Sequence, residues 1–112
     1  MELESKLEEL DEKSSLGDIQ RYMNEAIEAR GFSNETSKDI LLFLTEELGE
    51  LAKAIRKETK MKMDVNKNDG FDVKGEIADI FSYILAMCRT HEIDLLQAFK
   101  EKEKENNKRT WI

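Results

Sequence analysis

Apolar residues recur along this chain at intervals of three and four, the spacing of one face of an α-helix. Ile19, Tyr22, Met23, Ala26 and Ile27 form one such series. It opens at Ser15-Leu16-Gly17-Asp18, which has N-cap character with an acid in the first turn, and Gly31 suits its C-terminal stop. Ile40, Leu41, Leu44, Leu48, Leu51 and Ile55 form a second series. They predict a helix that starts between Ser33 and Ser37 and ends near Glu58 to Lys60. Residues 61–75 are polar and carry Gly70 and Gly75, which predicts a connection and the best candidate for a mobile segment. A helix over roughly 73–90 is expected to turn Ile77, Ile80, Phe81, Ile84, Leu85 and Cys88 inward. Asp94 is the expected cap of a last helix, with Leu95, Leu96 and Phe99 ahead of a charged run to Arg109. Leu3, Leu7 and Leu10 have helical spacing within residues 2–13, a short helix or a frayed extension. Alternation of the β type is scarce and proline is absent, so the expected fold is all-α, a bundle of four to five helices.

Composition refines this picture. A chain of 112 residues fits one domain. Apolar residues make up 39% and charged residues 38%, so the helices must be amphipathic, and part of the core is expected at a subunit interface. A net charge of −7 argues against nucleic-acid or anionic-membrane binding, though a local basic site for a phosphorylated small molecule is compatible with it. Cys88 is the single cysteine, so no internal disulfide forms, and its apolar surroundings predict a buried, inert thiol. With no signal peptide and no apolar run of membrane-spanning length, the expected compartment is the cytoplasm.

Two acidic clusters carry the candidate chemistry: Glu46-Glu47-Leu48-Gly49-Glu50 and Glu76-Ile77-Ala78-Asp79. Each sets carboxylates three residues apart, on one face of a helix. Glu47 borders the apolar stripe of its helix, with Glu50 just outside it and Glu46 further away. Glu76, Asp79 and Tyr83 line up at i, i+3 and i+7. Antiparallel packing of the two helices would bring Glu47, Glu50, Glu76 and Asp79 together at the seam. Crowded carboxylates repel and normally need a cation, and oxygen-only ligands favour a hard ion such as Mg²⁺ over Zn²⁺. Either cluster alone is ordinary helix surface; the pair is less easily explained without a metal. Interhelical ion pairs to Lys53, Arg56 or Lys74 are the structural alternative.

These residues resemble a known family. Glu46-Glu47-x-x-Glu50, a spacer of 25 residues, then Glu76-x-x-Asp79 is similar to the EExxE…ExxD signature of the MazG-like all-α nucleoside triphosphate pyrophosphohydrolases. Tyr83 stands where relatives often carry a substrate-contacting tyrosine. Lys102, Asn106 and Arg109 resemble the family's trailing lysine–asparagine–arginine pattern. The resemblance covers about residues 15–111. It implies a single helical domain over 15–112, with 1–14 as a charged N-terminal extension. It also implies assembly as a homodimer or homotetramer, and hydrolysis of an NTP or dNTP to the monophosphate and pyrophosphate with Mg²⁺ (Mn²⁺ as an alternative), in the removal of surplus or damaged nucleotides.

In that chemistry Glu47, Glu50, Glu76 and Asp79 would hold the metal against phosphate oxygens. Glu47 or Glu46 would accept a proton from the attacking water. Spacing alone leaves open whether Glu47 is ligand or base. Lys102, Asn106 and Arg109, at i, i+4 and i+7, could offer two cations and an amide to the phosphate tail. Tyr22, Phe32 and Trp111 are expected in core or interface packing, and His91 in an exposed turn. Two rival readings stand beside this one. The chain could be a related hydrolase of phosphoribosyl-ATP or of dUTP and dUDP, or a non-catalytic helical interaction module with its carboxylates unliganded.

Overall fold

The computed structural model of the chain describes residues 2–59 and 72–112. Among these residues there are five helices and no strand: α1 (Glu2–Glu9), α2 (Leu16–Ala29), α3 (Ser37–Glu58), α4 (Val73–Thr90) and α5 (Leu95–Asn106). The all-α expectation holds. Most of the connection expected over 61–75 lies outside the described residues. The chain forms two compact units, one of Met1–Asn34 with Cys88–Ile112 and one of Glu35–Met87.

In the first unit, residues 2–9 are helical rather than frayed, and α1 packs against α2. The Lys6 ammonium joins them, 3.2 Å from Glu2 and 3.0 Å from Glu25. Helix α2 starts in a capping box. The Ser15 hydroxyl accepts the Asp18 N–H at 3.0 Å and the Asp18 carboxylate accepts the Ser15 N–H at 2.8 Å, so two otherwise unpaired donors are satisfied. It ends in a Schellman turn. Phe32 N–H donates to Ile27 C=O at 3.0 Å and Gly31 N–H to Glu28 C=O at 3.1 Å, with Gly31 at φ +79°.

The end of α4 repeats that turn with a residue less suited to it. Ile93 N–H reaches Cys88 C=O at 2.9 Å and Glu92 N–H reaches Arg89 C=O at 3.2 Å, while Glu92 takes φ +53°. A side chain in that region costs about 1 kcal/mol relative to glycine. The turn is held from across the unit by one amide. Gln20 Nε2 donates to Ile93 C=O at 2.9 Å and its Oε1 accepts the Leu95 N–H at 3.0 Å. Asp94 then caps α5 by accepting the Gln97 N–H at 3.1 Å. Ala26, Ile27 and Cys88 are buried. Burial pushes the Cys88 thiol's pKa up, so it holds its proton, in keeping with an inert cysteine.

The second unit is α3 with most of α4. Thr36 and Asp39 form another capping box, and Thr59 ends the helix with its N–H on Ile55 C=O at 2.9 Å. Asp72 accepts the Gly75 N–H at 2.9 Å, and its carboxylate fills the place that a Cβ at Gly75 would take. Phe43 meets Tyr83, and Glu47 meets Asp79. The number rises on one helix as it falls on the other, so α3 and α4 run antiparallel.

The apolar stripes are only partly covered. Ile40, Ala54, Leu85 and Ala86 are buried, but Ile77 is 54% exposed and Phe81 and Ile84 also remain exposed. The inward placement expected for these three does not hold. On α3, Leu48 is 50% exposed, and Leu41, Leu42 and Ile55 are exposed as well. One chain supplies too little apolar surface to cover both sides of two long amphipathic helices. No helix among the described residues is long and apolar enough to cross a membrane.

Replacing Gln20 with Leu removes both bonds to the 93–95 turn and leaves a part-buried N–H without a partner. We expect a loss of about 1–3 kcal/mol in urea unfolding. Glu92→Gly should be neutral or stabilising in the same measurement.

Candidate metal centre

The sequence pattern Glu-Glu-Leu-Gly-Glu sits mid-way along α3, and Glu76 and Asp79 occupy the first two turns of α4. Antiparallel packing brings one carboxylate oxygen from each of Glu47, Glu76 and Asp79 within 4.8 Å of the others. Two unit charges at that separation repel by about 1 kcal/mol in water-like surroundings and by about 3.5 kcal/mol at an effective dielectric of about 20. The group therefore stands at a cost unless something positive enters it.

Two observations locate that cost. Glu76 Oε2 is buried and lacks a hydrogen-bond partner among the described residues. The Glu47 carboxyl is pushed up to about 7. Its foremost cause is a hydrogen bond with Glu76, which requires a proton between the two acids; burial comes next, followed by the charges of Glu76, Asp79 and Glu50. Both defects have the same remedy, a proton or a cation between the carboxylates. The donors are all oxygen, which suits a hard divalent ion. The residues present thus fit a divalent metal.

Tyr83 is half-buried one turn beyond Asp79 and stacks on Phe43, ring centroids 5.9 Å apart and planes inclined by 24°. Its hydroxyl ionises above the usual range, chiefly through burial, then through the charges of Glu47, Glu35, Asp79 and Glu46. Gly49 interrupts the acidic run of α3, and a Cβ there would meet nothing within 4 Å. A mid-helix glycine costs about 1 kcal/mol relative to alanine, and no contact among the described residues requires it.

A family model of the MazG nucleotide pyrophosphohydrolase domain matches residues 35–110. That span is well over half of the chain and holds both acidic clusters. The chain belongs to the MazG nucleotide pyrophosphohydrolase family. Membership supports a hydrolase acting on nucleotide pyrophosphate bonds. No curated protein matches the chain.

Against the MazG signature, the expected ligands separate into a converged group and an outlier. Glu47, Glu76 and Asp79 come together, whereas Glu50 is exposed and stands outside the group, acting on Glu47 through its charge. Glu46 is exposed. Lys102, Asn106 and Arg109 belong to the other compact unit. The Lys102 ammonium lies 3.2 Å from Glu105, and the Asn106 amide donates to Glu103 at 2.8 Å. The series does not continue along one helix, because α5 ends at Asn106. Asn107, Lys108 and Arg109 each donate backward, to Glu103, Glu105 and Asn106, as the chain leaves the helix. Two adjacent asparagines, poor helix formers, mark that exit. The Arg109 guanidinium lies 5.9 Å from the centre of the Trp111 ring. Trp111 and Phe32 are exposed rather than packed, whereas Tyr22 is half-buried. Phe43 is not among the expected site residues; its signal in the sequence is that it precedes Glu47 by as many residues as Tyr83 follows Asp79.

The raised Glu47 ionisation carries a sign for stability. An unfolded glutamate ionises near about 4.3, and the folded one at about 7. The stabilising proton is fully present below the unfolded value and is lost as pH rises through the folded one. The melting temperature of metal-free protein should therefore fall between about pH 5 and 7.5. Glu47→Gln should flatten that fall. Added Mg²⁺ should raise the melting temperature most at the alkaline end, where the site is charged.

Proposed function

We propose that this protein is a Mg²⁺-dependent nucleoside triphosphate pyrophosphohydrolase, cleaving an NTP or dNTP to the monophosphate and pyrophosphate. The observation that carries the reading is the convergence of Glu47, Glu76 and Asp79 around an unpartnered buried oxygen, in a chain of the MazG family. In this reading those three carboxylates hold the ion, Mg²⁺ or Mn²⁺, and Glu50, one turn along α3 from Glu47, joins them when it binds. Bound there, the metal would neutralise phosphate oxygens and the charge that develops in the transition state.

Glu47 also takes the proton of the attacking water. Its carboxyl lies among the converged acids, whereas Glu46 is exposed. Tyr83 donates its hydroxyl to the nucleotide. Lys102, Asn106 and Arg109 serve the phosphate tail, since their present contacts are surface interactions that exchange cheaply. Residues 15–112 act as one domain with 1–14 as its extension, in the cytoplasm where nucleotides are held.

The uncovered faces support assembly with further copies of the chain, as a homodimer or homotetramer. Leu41, Leu48 and Ile55 of α3 and Ile77, Phe81 and Ile84 of α4 are each exposed, at helical spacing on their helices. Thr45, Gly49 and Ala52 form a low-profile strip on α3 that would admit a neighbouring helix closely.

The deciding assay incubates purified protein with each common NTP and dNTP plus Mg²⁺ and separates pyrophosphate from orthophosphate. We expect pyrophosphate, and a loss of at least about a hundredfold in Glu76→Gln and Asp79→Asn. Glu46→Gln should retain most activity and Glu47→Gln should not. Orthophosphate release, or activity unchanged in the cluster variants, refutes the reading. Phosphoribosyl-ATP, dUTP and dUDP belong in the same panel, because relatives acting on them share the carboxylate pattern. A non-catalytic module would release nothing and show no Mg²⁺ effect on melting. Sedimentation should give a mass that is a multiple of 13.1 kDa, and Leu48→Glu should reduce it toward one chain.

A further inference from the structure

Four residues before Glu47 on α3 stands Phe43, and four residues after Asp79 on α4 stands Tyr83. Antiparallel running brings both rings to the same end of the carboxylate group. Their near-parallel planes, inclined by 24° at a centroid distance of 5.9 Å, are those of an offset stack. The two partners differ in surroundings. Tyr83 is half-buried, while Phe43 is 40% exposed. An exposed apolar position on a helix needs no aromatic ring for burial, and leucine has the better helix propensity there. The ring of Phe43 is useful mainly for the flat face it offers to Tyr83.

That face has a mechanical effect. A tyrosine side chain turns about two torsions, and its hydroxyl swings several ångströms when the first changes rotamer. Backed by the Phe43 ring on one side, Tyr83 has fewer orientations open to it than a tyrosine without that neighbour. Burial, and after it the charges of Glu47, Glu35, Asp79 and Glu46, keep the proton on that hydroxyl, so it is a donor throughout the neutral range. A donor at the rim of an acidic group faces whatever negatively charged oxygen the group's cation draws in.

We infer that Phe43 is a positioning residue of the site, stacking on Tyr83 to hold its hydroxyl toward the bound nucleotide without itself touching substrate. The inference rests on the pyrophosphohydrolase reading above and adds a residue which that reading does not contain.

The test uses the full chain and four variants: Phe43→Leu, which keeps apolar bulk and loses the flat face, Phe43→Tyr, which keeps both, Tyr83→Phe, and the double variant of Phe43→Leu with Tyr83→Phe. With a nucleotide that the unaltered protein hydrolyses, Phe43→Leu should lower kcat/KM by roughly two- to tenfold, the range expected for such a stack. Phe43→Tyr should restore it. In the double variant, Phe43→Leu should add nothing to the loss already caused by Tyr83→Phe. Losses that multiply, or a Phe43→Leu protein indistinguishable from the unaltered one, overturn the inference.

A second measurement is independent of turnover. The chain has two tyrosines, Tyr22 and Tyr83, so tyrosine-labelled protein gives two sets of ring signals, assigned with Tyr22→Phe. In metal-free, nucleotide-free protein the Tyr83 signals should carry a ring-current shift that Phe43→Leu removes. The Mg²⁺-induced rise in melting temperature should survive in Phe43→Leu. An absent ring-current shift, or a lost Mg²⁺ response, also overturns the inference, the latter because Phe43 would then be supporting the carboxylates themselves. If the unaltered protein hydrolyses no nucleotide, the pyrophosphohydrolase reading fails and takes the inference with it. If it is active and only the Phe43 results disagree, the inference fails alone.

Discussion

Mutual repulsion among three carboxylates is the constraint around which the second unit is organised. Two antiparallel helices could have met through leucines alone. Instead α3 and α4 place Glu47, Glu76 and Asp79 within 4.8 Å of one another, with one buried oxygen left unpartnered. Ile40 and Ala54 on α3 and Leu85 and Ala86 on α4 are buried, so apolar burial on both helices stands against the cost of the acids. Packing supplies the rigidity, and the charge it holds in place is what a cation can use.

The first unit answers a different need, the placing of helix ends. Reciprocal capping at Ser15, two left-handed turns and the Gln20 amide determine where α2 and α4 stop and where α5 begins. Tolerance of Glu92 at positive φ reflects how thoroughly neighbouring bonds determine the turn.

Local features were the legible ones. Ser15, Thr36 and Asp94 signal helix starts by chemistry that acts within four residues, and Gly31 signals a stop in the same way. The acidic clusters were legible because helical geometry ties i to i+3. What the sequence hid depends on contacts between distant segments. Ile77, Phe81 and Ile84 have perfect periodicity for an inward face, yet periodicity gives the direction of a face and not whether anything lies against it. Glu47 borders the apolar stripe of α3 and Glu50 lies just outside it, a small offset on the helix that leaves only Glu47 in the converged group. Arg109 continues the count from Lys102 and Asn106, but the helix ends before it. Gln20 carries no local signal at all, since its partners lie 73 and 75 residues away.

That separation bears on how the molecule is built up during synthesis. Helices α3 and α4 are neighbours in sequence and form a hairpin as soon as both have emerged from the ribosome. Residues 1–34 are translated earlier but belong to a unit that also needs residues 88–112. Gln20 must therefore wait for residues 93–95 before its two bonds can close. Long-range closure of this kind is slow compared with hairpin formation. The acidic hairpin can thus form before α2 meets α5 and the 93–95 turn, which complete the first unit.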